Sequence, residues 1–197
     1  MASPPNTSAT MTGFNLESFL KEVSDKKFPP VEKWNPDFCG DIDMRIAADG
    51  TWFYMGTPIT RERMVRLFST VLRKDADGRT YLVTPVEKIG IQVEDAHFVA
   101  KSVDVLGEPQ AQILSFVTNV GDTVIADAAH PIRVEVDSET EEPRPYITVR
   151  GRLEALIARS VFYELVEHAE QIETDGTTEL VVTSNGERFS LGSWSDG

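Results

Sequence analysis

Hydrophobic residues alternate with polar ones along some stretches of the chain and recur every three or four positions along others, which predicts both strands and helices. Residues 41–46 alternate, as is typical of a strand with one buried face. An Asp49–Gly50 turn then leads into residues 51–55, an aromatic run that suits a return strand. Together these stretches predict a β-hairpin.

Two amphipathic helices are predicted farther along the chain. The first spans about residues 60–74 and places arginines opposite an apolar stripe. The second is longer, and its stripe consists of Leu153, Leu156, Ile157, Val161, Leu165 and Ile172. A third, short helix is predicted near residues 15–23, after a tail rich in Ser, Thr and Pro.

Further strands are predicted around these helices. They lie at residues 81–83, 89–93, 113–118, 123–126, 132–136, 180–182 and 189–194. An acidic, proline-bearing loop is predicted through Pro145, between the strand at 132–136 and the second helix.

Two turn sequences recur in the same order, which suggests an internal duplication. Residues from Asp77–Gly78 match those from Asp175–Gly176, and both follow a predicted helix. Asp49–Gly50 likewise resembles Gly121–Asp122, and both lie between predicted strands. Each match alone is only a common turn, so the shared order carries the inference.

The fold class predicted from this pattern is α+β, with two related units that each combine an antiparallel sheet with a helix. Residues 1–30 are interpreted as a tail with a short helix. Residues 31–95 are interpreted as the first strand–helix–strand unit and residues 96–197 as a second, larger one.

The charge of the chain restricts its partners. The net charge is −13 over 197 residues, and so acidic a surface repels phosphate backbones and anionic lipids, so neither nucleic-acid nor membrane binding is expected. The N-terminus lacks the basic and apolar parts of a signal peptide. The single cysteine, Cys39, cannot form an internal disulfide, and a cytoplasmic location is therefore expected.

No catalytic motif is recognisable in the sequence. The phosphate-binding loop, the dinucleotide-binding glycines and the nucleophile elbow are all absent. His97, His130 and His168 stand in unrelated contexts, whereas zinc requires several ligands that converge on one point. We therefore expect no catalytic residue, no metal and no cofactor.

One segment runs against the overall charge. Residues 60–90 contain seven basic and four acidic residues, so this segment is +3 and the remainder of the chain is −16. Arginines stand at the predicted start of the first helix, where free N–H groups favour an anion. The candidate ligand-binding residues are Trp52, Tyr54, Arg61, Arg63, Lys88 and Arg150. The alternative, in which the arginines are a solvated helix face and the aromatic residues are core, stays open.

Residues 39–100, CGDIDMRIAADGTWFYMGTPITRERMVRLFSTVLRKDADGRTYLVTPVEKIGIQVEDAHFVA, resemble the bacterial family of domain of unknown function 1285. Residues 144–167, RPYITVRGRLEALIARSVFYELVE, resemble it too. One position departs from the pattern, since His97 stands where the family is expected to have proline. The resemblance implies a duplicated α+β core, a C-terminal half similar to pleckstrin-homology folds, a site for a nucleotide-like ligand between the halves, and a role in signalling.

Three functional hypotheses follow. In the first, the basic candidates bind a small anionic ligand between the units, and one of the two aromatic candidates stacks on it. In the second, the protein is an adaptor that binds a protein partner along a sheet edge. In the third, it is an enzyme that uses Asp41, Asp43 or Cys39.

Overall fold

The computed structural model describes residues 28–108 and 111–195. The predicted tail and short helix, up to residue 27, lie outside the described residues. We call the part of the chain through the sixth strand the first unit, and the part from the seventh strand onward the second unit.

From residue 28 onward, the first unit combines six strands with one helix, after a 3₁₀ turn at Val31–Lys33. Its elements are β1 (Phe38–Ile46), β2 (Trp52–Tyr54), β3 (Thr57–Pro58), α1 (Glu62–Thr70), β4 (Leu72–Lys74), β5 (Thr80–Val83) and β6 (Lys88–Val93).

The second unit combines nine strands with one helix within the described ranges. Its elements are β7 (Phe98–Leu106), β8 (Ile113–Thr118), β9 (Thr123–Ile125), β10 (Ile132–Val136), β11 (Pro143–Arg150), β12 (Leu153–Ile157), α2 (Arg159–Glu167), β13 (Glu170–Thr174), β14 (Thr177–Ser184) and β15 (Glu187–Ser195).

The two six-stranded sheets follow the same path. The first has the order β3-β2-β1-β6-β5-β4, and the second has β9-β8-β7-β12-β11-β10. In each sheet the central pair, β1 with β6 or β7 with β12, is parallel, and the other neighbours are antiparallel. The duplicated α+β architecture is thereby confirmed. The three-stranded sheet β13-β14-β15 follows α2 and has no counterpart in the described part of the first unit.

The turns that suggested the duplication are not equivalent in the fold. Asp77–Gly78 joins β4 to β5 of the first sheet, but Asp175–Gly176 joins β13 to β14 of the third. The helices also differ in position, because α1 follows β3 whereas α2 follows β12. Gly78 and Gly176 both have positive φ, +81° and +77°. The shared turn sequence therefore indicates that the two turns have the same local backbone conformation. It does not indicate that they occupy equivalent positions in the two units.

The predicted long helix over residues 153–172 is wrong. Residues 153–157 form β12, only Arg159–Glu167 is helical, and Glu170–Thr174 is again a strand. Leu153, Ala155 and Ile157 are buried in alternation with half-buried neighbours. Leu156 also fits a helical spacing, so the local sequence pattern is compatible with either a helix or a strand. Residues 153–157 form a strand because they pair with β7 and β11.

The predicted loop through Pro145 is a hairpin between β10 and β11. Pro143 and Pro145 pair with β10, and the pairing of β11 with β12 begins only at Tyr146. Proline has no N–H to donate, so it is tolerated on the part of a strand that has no second partner. Strand β7, at the centre of the second sheet, was not predicted from the sequence.

Helix α1 is shorter than predicted, since residues 72–74 form β4. Arg73 is therefore not a helix-terminal residue on a solvated face. It is buried, donates to the carbonyl oxygens of Val31 and Trp34 over 2.8 and 2.7 Å, and pairs with Asp75 over 2.6 Å. This arginine holds the chain before β1 against the first sheet.

A single apolar core runs through both units. It includes Trp52 and Phe68 of the first unit and Phe98 and Phe116 of the second, all 1% exposed or less. Burial of such side chains stabilises a fold by roughly 1.5–3 kcal/mol each. The shared core fixes the two units against each other and so defines the cleft between them. In the described ranges, neither helix has the length or apolarity to cross a bilayer.

Candidate functional site

A cleft of about 510 Å³ lies between the two units. The first unit contributes the turn at residues 49–51, Trp52, Ile59 and the outer face of α1. The second unit contributes Lys101 of β7 and the turn between β8 and β9, residues 118–121. We call it the inter-unit cleft.

Two side chains cross this cleft and hold its walls together. Arg66 of α1 donates from Nε to the carbonyl oxygen of Val120 over 2.9 Å. Asn119 donates from Nδ2 to the carbonyl oxygen of Gly50 over 3.3 Å, and its Oδ1 accepts from the backbone N–H of Val99 over 3.0 Å. The β8–β9 turn is thus fixed by both units.

Three cations line the inter-unit cleft: Arg63 and Arg66 from α1, and Lys101 from β7. Among the described residues, no carboxylate forms a salt bridge with any of them. Two acids, Asp49 and Glu62, also line it. The Thr51 backbone N–H donates to Asp49 over 2.9 Å and lowers the pKa of this carboxyl. The cleft therefore offers cationic donors that are free to bind an anion.

The predicted aromatic residues do not form a stacking surface. Trp52 is 1% exposed and stacks on Phe68 with ring centroids 6.1 Å apart. Its indole N–H is buried and has no acceptor among the described residues. Tyr54 is half-buried against the core and does not line the cleft. Both residues pack inside the protein, which is the alternative that the sequence left open.

The basic candidates do not converge on one site. Arg63 lines the inter-unit cleft, whereas Arg61 is exposed just before α1 and lies outside the lining. Lys88 binds Asp75 over 2.7 Å and lies over the Tyr81 ring. Asp75, which Lys88 shares with Arg73, and the Tyr81 ring hold the ammonium group, and Lys88 is not among the residues that line the cleft.

Arg150 is also occupied. Its Nη1 binds Asp122 over 2.8 Å, its Nη2 donates to the carbonyl oxygen of Ser69, and the guanidinium lies 5.0 Å from the centroid of Phe98. Burial lowers the pKa of the Arg150 guanidinium, and Asp122 opposes that shift. This arginine connects the two units and is not a free ligand-binding group.

Two cleft residues were missed by sequence reasoning. Arg66 follows Arg63 by three positions, so the helical spacing placed both on one face and could have identified it. Lys101 carried no comparable signal, because the strand that presents it was not predicted. Elsewhere in the described ranges, no group of three or more His, Cys, Asp or Glu side chains is placed to hold a metal ion.

A substitution at Gly121 would test the hydrogen bond that Arg66 makes across the cleft to Val120. A Cβ at Gly121 would collide with Arg66 Nη2, and the φ of +83° is strained for any other residue. We expect Gly121→Ala to lose roughly 1 kcal/mol of unfolding free energy from the backbone, and up to about 1 kcal/mol more because the Arg66 guanidinium must shift and its Nε bond to Val120 is weakened.

Urea denaturation measures this loss, and Gly78→Ala is the matched control. Gly78 has a φ of +81° and no atom within 4 Å of the added Cβ, so it reports the backbone cost alone. Equal losses in the two variants would show that the contact between Arg66 and the β8–β9 turn contributes nothing.

Comparison with protein families places the chain. Residues 29–96 match the model described as domain of unknown function (DUF1285), N-terminal domain. Residues 97–191 match the model described as protein of unknown function (DUF1285), C-terminal domain. No curated protein matches the chain.

Two crystal structures resemble the chain. A DUF1285 family protein from Silicibacter pomeroyi DSS-3 is 51% identical, with a TM-score of 0.82 over 90% of this chain and 94% of that one. A DUF1285 family protein from Shewanella baltica OS155 is 25% identical, with a TM-score of 0.50 over 64% of this chain and 91% of that one. Two family models that together span most of the sequence, and a relative that shares half of its residues, lead to one conclusion: the chain belongs to the DUF1285 family.

Proposed function

We propose that this protein is a non-catalytic binding protein for a small anionic ligand, with nucleotide-like molecules as the first class to test, and that the ligand occupies the inter-unit cleft. One observation carries the proposal. In a chain of net charge −13, cations from both units face one cleft and form no salt bridge among the described residues.

The chemistry of the cleft suits an anion with several oxygen atoms. Arginine presents a planar set of donors that binds phosphate or carboxylate in a bidentate manner, and lysine adds a compact charge. Arg66 uses Nε for Val120, so its two terminal nitrogens are left for a ligand. Affinity in this proposal rests on charge and hydrogen bonds and not on aromatic stacking, because Trp52 is buried.

The carboxylates of the cleft limit which anions fit. Asp49 and Glu62 repel a ligand that spreads negative charge over its whole length, and they accept hydrogen bonds from hydroxyl groups. A ligand with an anionic end and a hydroxyl-bearing end matches both kinds of lining residue. Nucleotides and sugar phosphates have this form.

Thermal denaturation with and without ligand tests the proposal. The panel contains inorganic phosphate, pyrophosphate, ATP, NAD and cyclic dinucleotides at millimolar concentration. A ligand present at 100 times its Kd stabilises the folded state by about 2.7 kcal/mol. Failure of every anion to raise the melting temperature above a salt control would overturn the proposal.

Arg63→Gln is the sharpest variant, because Arg63 is exposed and, within the described residues, its side chain makes no hydrogen bond that the substitution would disturb. We expect it to weaken ligand binding about tenfold, the effect of losing one charge-assisted hydrogen bond of about 1.4 kcal/mol. Arg61→Gln removes the same charge two residues earlier, outside the cleft, and serves as the control. Calorimetric titration would measure both, and equal losses would place the ligand elsewhere.

The broader role is part of the same proposal. We propose a cytoplasmic protein in bacterial signal transduction, whose ligand occupancy is sensed by other components. We also propose a pleckstrin-homology-like second unit, which is supported by its two three-stranded antiparallel groups, β7-β8-β9 and β10-β11-β12, and by helix α2.

A protein–protein adaptor is the second candidate. A groove of about 370 Å³ between the β10–β11 hairpin and α2 is lined by Pro143, Pro145 and Phe162, and Tyr163 on its rim is 56% exposed. An aromatic side chain at the edge of an apolar groove is typical of peptide-binding surfaces. A ligand screen in which no anion stabilises the protein would favour this candidate.

A further inference from the structure

The cations of the inter-unit cleft come from different units. Arg63 and Arg66 belong to α1 of the first unit, and Lys101 belongs to β7 of the second. Like charges that face each other across a boundary repel, and the repulsion falls when a counter-ion lies between them. Asp49 and Glu62 offset the two arginines in the formal charge of the first wall, so the repulsion concerns the three cationic groups themselves, and an anion placed between them would relieve it.

The polar contacts that span the cleft are few. The first wall reaches the second through the Arg66 bond to Val120 at 2.9 Å, and the second reaches the first through the Asn119 bond to Gly50 at 3.3 Å. Both contacts end on the turns at residues 118–121 and 49–51, which connect strands at the edge of the cleft. A ligand bound in the cleft would therefore change the contact between the two units mainly at these turns.

We infer that an anion in this cleft acts as a clamp, because it accepts hydrogen bonds from the α1 arginines and from Lys101 at the same time and so ties the two units together. The inference rests on the proposed function and adds how the site would act. Arg66 makes its Nε bond to Val120 with or without the ligand, which would bind the terminal nitrogens, so Lys101 supplies the added tie to the second unit. Ligand binding would thereby strengthen the contact between the two units.

The clamp is expected to slow hydrogen exchange of backbone amides in both turns. The Gly50 amide donates to Ala47 over 2.9 Å, and the Gly121 amide donates to Thr118 over 2.9 Å. Each of these hydrogen bonds closes a turn at the cleft. An anion that bridges the units slows hydrogen exchange in both turns, whereas an anion held by α1 alone slows exchange only in the first unit.

The experiment is hydrogen–deuterium exchange of the full chain with pyrophosphate, compared with potassium chloride at equal ionic strength. We expect exchange in both turns to slow about fivefold or more in the unmodified protein. The turn at Asn185–Gly186, in the third sheet and away from the cleft, serves as the internal reference.

Lys101→Gln separates the clamp from simple binding. Since Lys101 is exposed, its loss is expected to weaken pyrophosphate binding only about two- to fivefold. At saturating pyrophosphate the variant loses the protection of residues 118–121. Lys33→Gln removes an exposed lysine outside the cleft and is expected to behave as the unmodified protein.

The outcomes distinguish the two proposals. If the unmodified protein binds none of the anions in the panel, the proposed function fails and the clamp fails with it. If it binds pyrophosphate but gains protection only at residues 49–51, the site stands and the clamp is overturned. If Lys101→Gln keeps full protection of residues 118–121 at saturation, Lys101 does not bridge, and the clamp is again overturned.

Discussion

The free energy of unfolding is expected to fall by about 2 kcal/mol between pH 7 and pH 5, and by about 3 kcal/mol at pH 4, through the titration of His97 alone. His97 is 3% exposed and lies where the chain passes from the first unit to the second. Burial, with a smaller effect of the Lys74 charge, lowers the pKa of His97 to about 4.

The hydrogen bonds of His97 fix its neutral form. The backbone N–H of Glu154 can only donate, so Nδ1 of His97, 3.3 Å away, accepts and carries no proton. The proton is therefore on Nε2, which donates to Thr80 Oγ1 over 3.0 Å. Thr80 belongs to β5 and Glu154 to β12, so this ring joins the two units. If Nδ1 were protonated, two N–H donors, that of Nδ1 and that of the Glu154 backbone, would face each other without an acceptor.

The direction of the pH effect follows from the two pKa values. In the unfolded chain His97 binds a proton below about pH 6.5, whereas in the folded protein it stays neutral down to about pH 4. Between these values the unfolded state binds more protons, so acid favours unfolding. The stability contributed by the neutral ring is complete above pH 6.5 and is lost as the pH falls toward 4. The charge of Glu154 opposes this shift, and that of Arg150 adds to it.

Urea denaturation at several pH values from 7 to 4 would measure the effect. Carboxyl groups also titrate at the acid end of this range, so the informative quantity is the difference between the unmodified protein and His97→Gln. We expect the variant to be less stable at pH 7 and to show a shallower decline toward acid. His168→Gln removes an exposed histidine as the control. Parallel profiles for the protein and His97→Gln would refute a buried neutral histidine.

Arg150→Met is expected to lower the free energy of unfolding by about 3 kcal/mol, at the low end of the range for removing one member of a buried ion pair. The low end applies because the Arg150 and Asp122 side chains remain 24% and 16% exposed. The substitution leaves Asp122 without its cation and leaves the Ser69 carbonyl with only the backbone N–H that caps α1. Since Ser69 lies in α1, the loss falls on the contact between the units.

A double-mutant cycle would isolate this pair. Asp122→Asn should cost much less when added to Arg150→Met than when made alone, because the partner is already absent. Arg152→Met removes the next arginine, which is exposed, and controls for the change of net charge. Additive losses in the cycle would mean that Arg150 and Asp122 are not coupled and that Arg150 acts through Ser69 and Phe98 instead.

Local patterns in the sequence identified three of the six strands of the second sheet, β8, β9 and β10, but not their arrangement. The predicted strands at residues 113–118 and 132–136 coincide with β8 and β10. Alternation of apolar and polar residues is a property of one strand and its two faces, so it can be read from neighbouring positions. The parallel pairing of β7 with β12 joins residues more than fifty positions apart and left no such mark.

At the candidate site too, the sequence identified local features but not the contacts between residues that are distant in sequence. The sequence placed a basic helix, with Arg63, beside a boundary between two units, and the structure has α1 at the inter-unit cleft. It did not reveal that Lys88 is bound by Asp75 or Arg150 by Asp122, because these partners lie 13 and 28 residues away on other elements. For the same reason it could not assign Lys101 to the cleft.

The sequence by itself determined the family, the mixed α+β composition and the basic segment within an acidic chain. These properties depend on residue types and on their spacing over one or two turns or strands. The tertiary structure alone decided which arginines are free, which aromatic residues are buried, and where the second helix ends. Charges are neutralised and rings are covered by residues that are distant in sequence, so only the folded chain brings the deciding partners together.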